Sequence, residues 1–287
     1  MSPQIEITVV YNLWIPYGFE PFSAFVESYI KYPAGLEHEL VIIIKDGKKE
    51  ELGDLSIYTQ LLSEYQINYQ FIYFSGGYDI DAYYFAASKI ESDYFFFLNT
   101  NSVLLADNWL EKMYDNIRLP NVGVCSATGS WMSYRSAVFI QNTWRYEFEK
   151  SIQVNFRKYK LLLKALFYYP FLFASFPNPH LRTNGFMIRK ELLLKIKLQP
   201  IQTKIQAYLF ESGLNGFSNQ VLKMGLDLRV VDKNGNSFLP KDWQNCKVFW
   251  NGMQEDLMIS DNQTLKYVES SEEDKKLYTK LAWGKTH

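Results

Sequence analysis

Two asparagines, Asn99 and Asn101, follow directly on an apolar run at residues 94–98 in the segment DYFFFLNTNSVLL. A short continuous apolar run bounded by turn formers predicts a strand buried on both faces. Open α/β sheets bind ligands at the carboxyl ends of such strands. Both amide side chains are therefore expected to project into one crevice, two residues apart. That spacing suits a diphosphate, or a metal ion that carries one. The plainer expectation is a strand-to-helix turn in which Asn99, Asn101 and Ser102 only cap the helical pattern begun at Asn108. A second phosphate-like signal, Gly284-Lys285-Thr286, is rejected: Thr279 stands where a P-loop needs its first glycine, and no strand precedes it.

The elements that must position these residues alternate. Residues 5–11 read as a strand, 21–32 as a helix and 38–44 as a strand broken by Lys45-Asp46-Gly47. A helix near 55–65, a strand at 69–74 and a helix at 81–90 lead to the buried strand. Strands are further expected at 122–126, 185–189 and 228–231, a helix at 218–224 and a closing helix at 269–281. Alternation of this kind predicts a mainly parallel sheet with right-handed crossovers. No repeat or linker-like stretch divides the 287 residues, so one domain is expected.

Composition excludes several classes. Hydrophobic residues make up 47% of the chain and aromatics 17%, enough for a sizeable core. A net charge of −1 without a basic tract speaks against nucleic acid as a partner. Cys125 and Cys246, the only cysteines, cannot build a disulfide framework or a cysteine-type zinc site, and a reducing compartment is the easier home. The start MSPQIEITVVYN has no basic region and too short an apolar run for a signal peptide, so a cytoplasmic location is expected. Residues 161–176, LLLKALFYYPFLFASF, are almost wholly apolar but carry Lys164 and Pro170 and fall short of a membrane span. Two expectations stand for them: a helix packed into the core or over a cleft, or, with the basic residues at 157–160, a peripheral contact with the inner face of a membrane through 158–176.

The order of these segments resembles the GT-A glycosyltransferases, specifically the family-2-like enzymes that use nucleotide sugars. The matching pieces are VVYN (9–12), IIIKDG (42–47), GGYDIDAYYFAASKIESDYFFFLNTNS (76–102), HLRTNGFMIRKELL (180–192) and FESGLNGFSNQVLKMGLDLRVV (210–231). The likeness covers about four fifths of the chain and rests on order and spacing rather than on any one motif. It implies a Rossmann-like mixed sheet flanked by helices in a single domain. Residues 1–118 would form the nucleotide-sugar half and 119–287 the acceptor and catalytic half. It also implies a hexosyl- or pentosyltransferase taking a UDP-, GDP- or dTDP-linked donor and a saccharide or lipid-linked saccharide acceptor. A sugar-nucleotide pyrophosphorylase is set aside, because Asn12-Leu13-Trp14-Ile15-Pro16 is neither glycine-rich nor basic. The alternative is a non-catalytic nucleotide- or glycan-binding module with a degenerate metal site.

Site residues follow from the resemblance. Asp46 and Tyr11 would accept from and stack on the nucleotide base, with Asp79 and Asp81 near the base or ribose; Asp81 could equally cap its helix. The family's metal-binding DxD carboxylates are replaced by Asn99 and Asn101. Amide oxygens ligate a hard cation without supplying charge, so Mg²⁺ or Mn²⁺ would be weakly held at Asn101 or absent. His180, Arg182 or Arg189 would then stabilise the leaving group, with Asn184 in the same acceptor-side segment. Glu211, about twenty residues past that segment, falls where the family's general base lies, and implies an inverting transfer. Trp131 could offer a platform to sugar or acceptor. Asp261, in Asp261-Asn262-Gln263-Thr264, could help close over the donor or act as an alternative base.

Overall fold

The computed structural model describes residues 6–45, 55–144 and 152–284. Strand β1 (Ile7–Trp14) is buried as far as Leu13 and runs on past Tyr11, where the alternation in the sequence had suggested it would stop. Helix α1 (Glu20–Lys31) has Pro21 in its first turn, where a missing N–H costs nothing, and leads to β2 (Glu39–Lys45). Then come α2 (Ser56–Glu64), β3 (Gln70–Phe74), α3 (Asp79–Lys89) and β4 (Tyr94–Leu98). Strand β1 pairs in parallel with β2 on one side and with β4 on the other, and β3 adds beyond β2. The chain thus winds outward from β1, then returns to its opposite edge. Such a reversal of strand order opens a crevice at the carboxyl ends of the two central strands.

Beyond β4 the chain forms β5 (Val103–Leu104), α4 (Trp109–Ile117), β6 (Val122–Ser126) and β7 (Gly129–Ser130). Two helices follow, α5 (Tyr134–Trp144) and α6 (Ile152–Phe167), of which α6 enters the apolar stretch at 161–176. Next are β8 (His180–Leu181), β9 (Phe186–Arg189), α7 (Lys190–Lys195), α8 (Lys204–Ser212), α9 (Phe217–Lys223) and β10 (Asp227–Val231). The chain ends with β11 (Ser237–Phe238), β12 (Ile259–Ser260), α10 (Asn262–Glu269) and α11 (Glu272–Trp283). The closing helix expected at 269–281 is α11, begun at Glu272, and α10 before it was not anticipated. The central sheet has eight strands in the order β11-β10-β6-β9-β4-β1-β2-β3. Only β9 and β11 run against their neighbours, which makes the sheet mixed and mainly parallel, with helices on its faces, as expected for a GT-A-like fold.

Strand β4 shows why the sheet holds. Phe95 and Phe97 face a core with Val10, Ile43 and Tyr83, while Phe96 and Leu98 face a second core with Val9, Tyr11 and Phe25. Side chains alternate along a strand, so a continuous apolar run serves both faces. Each fully buried phenylalanine contributes roughly 1.5–3 kcal/mol. A third, smaller cluster joins Tyr134 of α5, Ala165 of α6 and Tyr208 of α8 to Tyr169 and Phe173, which follow α6. Among the described residues no helix is long and apolar enough to cross a membrane.

Candidate functional site

A cleft of 480 Å³ opens over the carboxyl ends of β1, β2 and β4, with walls from Trp14, Lys45, Asp79, Asn99, Asn101 and Asn262. Thr100 fastens its floor. The Thr100 hydroxyl donates to the Asn12 carbonyl (2.7 Å) and accepts from the Trp14 N–H (3.2 Å), while Tyr11 Oη donates to the Thr100 carbonyl (2.6 Å). Tyr11 is wholly buried and stacks on Phe25 with centroids 3.9 Å apart, so its ring has no face to offer a base. That expectation is corrected. The aromatic residues lining the cleft are instead Trp14, Tyr17 and Tyr78, with Trp14 and Tyr17 in T-shaped contact. Trp14 escaped the sequence reading because β1 was ended too early; strand alternation puts it on the opposite face from Tyr11.

Lys45 is the charged residue the sequence reading missed. It closes β2, only 9% exposed, with Nζ 3.2 Å from Asp79 Oδ1 and 5.6 Å from the Trp14 ring centroid. A lysine at a strand end normally reads as a solvated breaker, and nothing local marks it as buried. Asp79 does line the cleft. Asp81 caps α3 by accepting the Tyr78 N–H (2.7 Å), and burial lifts its pKa against the opposing pull of that hydrogen bond and of Lys45. Below them, Asn12 is completely buried, and neither atom of its amide has a hydrogen-bond partner among the described residues; the same holds for Tyr83 Oη. An unpaired buried polar group costs about 1–3 kcal/mol. Asp46 lies outside the described residues.

Asn99 and Asn101 differ in what they can do. Asn99 Oδ1 accepts the Asn101 N–H (3.0 Å) and lies 3.2 Å from the Ser102 hydroxyl, so its oxygen is spent on the turn. Asn101 has no side-chain hydrogen bond among the described residues, and it stands on the cleft wall. Asn184, between β8 and β9, clamps this turn: its Oδ1 accepts the Asn99 N–H at 2.8 Å and lies 2.8 Å from the Ser102 hydroxyl. Its neighbour Thr183 donates its N–H to Glu211 Oε1 (2.8 Å), with the Thr183 hydroxyl 3.3 Å from the same oxygen. Glu211 is thus two links from Asn99 and sits in the last turn of α8, not in an exposed loop. The signal for α8 was present: Thr203 and Gln206 make the capping box that starts it.

The expected cations and platforms fall elsewhere. His180 is buried with Nδ1 on the Asn178 carbonyl (2.8 Å), and burial depresses its pKa against the pull of Glu211. It is a neutral structural histidine. Arg182 pairs with Asp261 at 2.7 Å and stacks over Phe249 at 4.4 Å from the ring centroid. Arg189 donates to the carbonyls of Val122 and Ile117 at the amino end of β4, away from the cleft. Trp131 donates Nε1–H to the Pro240 carbonyl (2.7 Å) and packs edge-on against Trp283, which anchors α11 rather than presenting a platform. Asp261 is 1% exposed, with Oδ1 capping α10 through the N–H groups of Gln263 and Thr264. Its Oδ2 makes no hydrogen bond but is ion-paired with Arg182 and buried, which argues against a role as base; its neighbour Asn262 is the residue on the cleft wall.

The donor set does not suit a resident divalent cation. Among the described residues no group of three or more His, Cys, Asp or Glu could hold a metal ion, and only one of the two asparagine oxygens remains free to ligate.

No family model and no curated protein matches the chain. Part of it is similar to the mannosyltransferase PcManGT from Pyrobaculum calidifontis, solved in complex with GDP-Man and Mn2+. That match is 11% identical and covers 44% of this chain and 36% of that one, at a TM-score of 0.36. S. aureus TarS is 14% identical over 42% of this chain and 21% of its own, at a TM-score of 0.33. TarS 1–349 in complex with UDP-GlcNAc is 15% identical over 42% of this chain and 34% of its own, at 0.32. The chain therefore spans little more than a third of those proteins at most.

Proposed function

We propose that this protein is a nucleotide-sugar-dependent glycosyltransferase that inverts the anomeric centre, with a saccharide or lipid-linked saccharide as acceptor. One observation carries the reading: the cleft at the strand-order reversal joins a buried lysine and an indole to a carboxylate, through the Asn99–Asn184–Thr183–Glu211 chain. The nucleotide would lie against Trp14 and Tyr78, with the diphosphate between Lys45 and Asn101. As the acceptor hydroxyl attacks the anomeric carbon, the bond to the diphosphate breaks and its new negative charge meets the Lys45 ammonium. Thr183 holds Glu211 through Oε1, which leaves Oε2 to take the hydroxyl proton. Titration with a panel of UDP-, GDP- and dTDP-sugars should find one that binds, and Lys45→Met should weaken it by about ten- to a hundredfold, the worth of a charge-assisted hydrogen bond. Undiminished binding in Lys45→Met, or no binder in the panel, contradicts the proposal.

Turnover should resist EDTA better than in an enzyme with two metal-binding carboxylates, because two amides bring no charge to hold a cation. Asn101→Asp should make the rate respond more strongly to added Mn²⁺. Complete loss of activity in EDTA, restored by Mn²⁺, would refute this. A binding module without turnover is the second reading, favoured by the locking of Asn99's oxygen within its own turn. Release of nucleoside diphosphate from the bound donor separates the two.

A further inference from the structure

Helix α6 and the turn after it carry apolar side chains on opposite sides. Leu161, Leu162, Ala165, Tyr169 and Phe173 pack inward. Tyr159, Leu163, Leu166, Phe167, Tyr168 and Phe171 face outward, with Phe167 and Phe171 72% and 78% exposed. Tyr159, Leu163 and Phe167 recur every fourth residue of α6 and so make one row, and Phe171 follows in the turn beyond it. Among the described residues the other large exposed apolar side chains are scattered along the sequence. A contiguous row marks an interaction site. Lys160 and Lys164, both exposed, stand three residues before Leu163 and Phe167 and flank the row. Between Glu149 and Glu191 the sequence has no carboxylate at all. A groove beside Phe171, walled by Leu172, Leu209 and Leu214, has Lys197 as its only charged lining residue.

We propose that this face docks on an anionic membrane surface, with α6 in the plane of the interface. Aromatic rings would enter the headgroup and acyl boundary, and the lysine ammoniums would reach back to the lipid phosphates. A second copy of this chain is a poor occupant, since a two-fold contact would bring the lysines of both copies into one interface. The site is independent of the sugar-transfer reading and is tested without activity. The full chain is sedimented with phosphatidylcholine vesicles with or without about a third phosphatidylglycerol. Binding is expected only to the anionic vesicles and should fall as salt rises. Phe167→Ser with Phe171→Ser should lower the bound fraction by at least about tenfold, and Lys160→Glu with Lys164→Glu by about tenfold. Unfolding midpoints within error of the parent protein would show that these exposed substitutions leave the fold intact. Equal binding to neutral vesicles, no binding to anionic ones, or a dimer that the phenylalanine variant dissociates would each overturn the proposal.

Discussion

Glu211→Gln should lower kcat by about 10²–10⁴-fold while leaving nucleotide-sugar affinity nearly unchanged. The substitution keeps an oxygen to accept the Thr183 N–H, now 2.8 Å from Glu211 Oε1, so the turn that carries Asn184 stays in place. What it removes is the capacity to take a proton from the acceptor hydroxyl. The donor cleft is built from residues 14–101 with Asn262 and does not include Glu211. Near-normal turnover in the variant would refute the assignment, and Asp261 could not take over because its Oδ1 caps α10 and its Oδ2 is buried and ion-paired with Arg182. If donor binding fell together with turnover, Glu211 would instead be a positioning residue acting through Thr183 and Asn184.

Arg182→Leu should destabilise the protein by about 3–5 kcal/mol, because it strands a buried charge. Asp261 is 1% exposed, and the Arg182 guanidinium 2.7 Å away is the cation it pairs with. The guanidinium also covers Phe249, so some loss reflects packing. Adding Asp261→Asn removes the stranded charge and keeps a good cap on α10, and it should recover most of the loss. Urea unfolding midpoints of the parent, single and double variants check this. A loss below about 1 kcal/mol in Arg182→Leu, the size of an exposed pair, would show that water reaches Asp261.

Much of the architecture was legible in the sequence. The run at residues 94–98 could serve only a strand buried on both faces, and it placed Asn99 and Asn101 at a carboxyl end beside the cleft. The βα alternation up to that strand required a mainly parallel sheet. These are properties of local periodicity, and local periodicity is written in the order of residues. The helices around Glu211 and after Asp261 were marked as well, by Thr203 with Gln206 and by Asp261 with Thr264, although only an inspection of capping pairs would find them. The short strands β5 and β12 had no such mark, since two residues show no period.

What tertiary structure alone decided was the use of each side chain. One extra turn of strand alternation sends Tyr11 into the core and Trp14 to the cleft. The same polar residue type is spent on a turn at Asn99, left to face the cleft at Asn101 and made a clamp at Asn184. Burial turns His180 neutral and puts Lys45, an ordinary strand-end lysine by sequence, beside Asp79 and Trp14. Several of these outcomes depend on a partner distant in sequence, 34 residues away for Lys45 and Asp79 and 85 for Asn99 and Asn184. Those meetings are set by sheet register and by which element covers which edge. Register shifted by one residue would exchange every inward and outward side chain while leaving the local pattern the same.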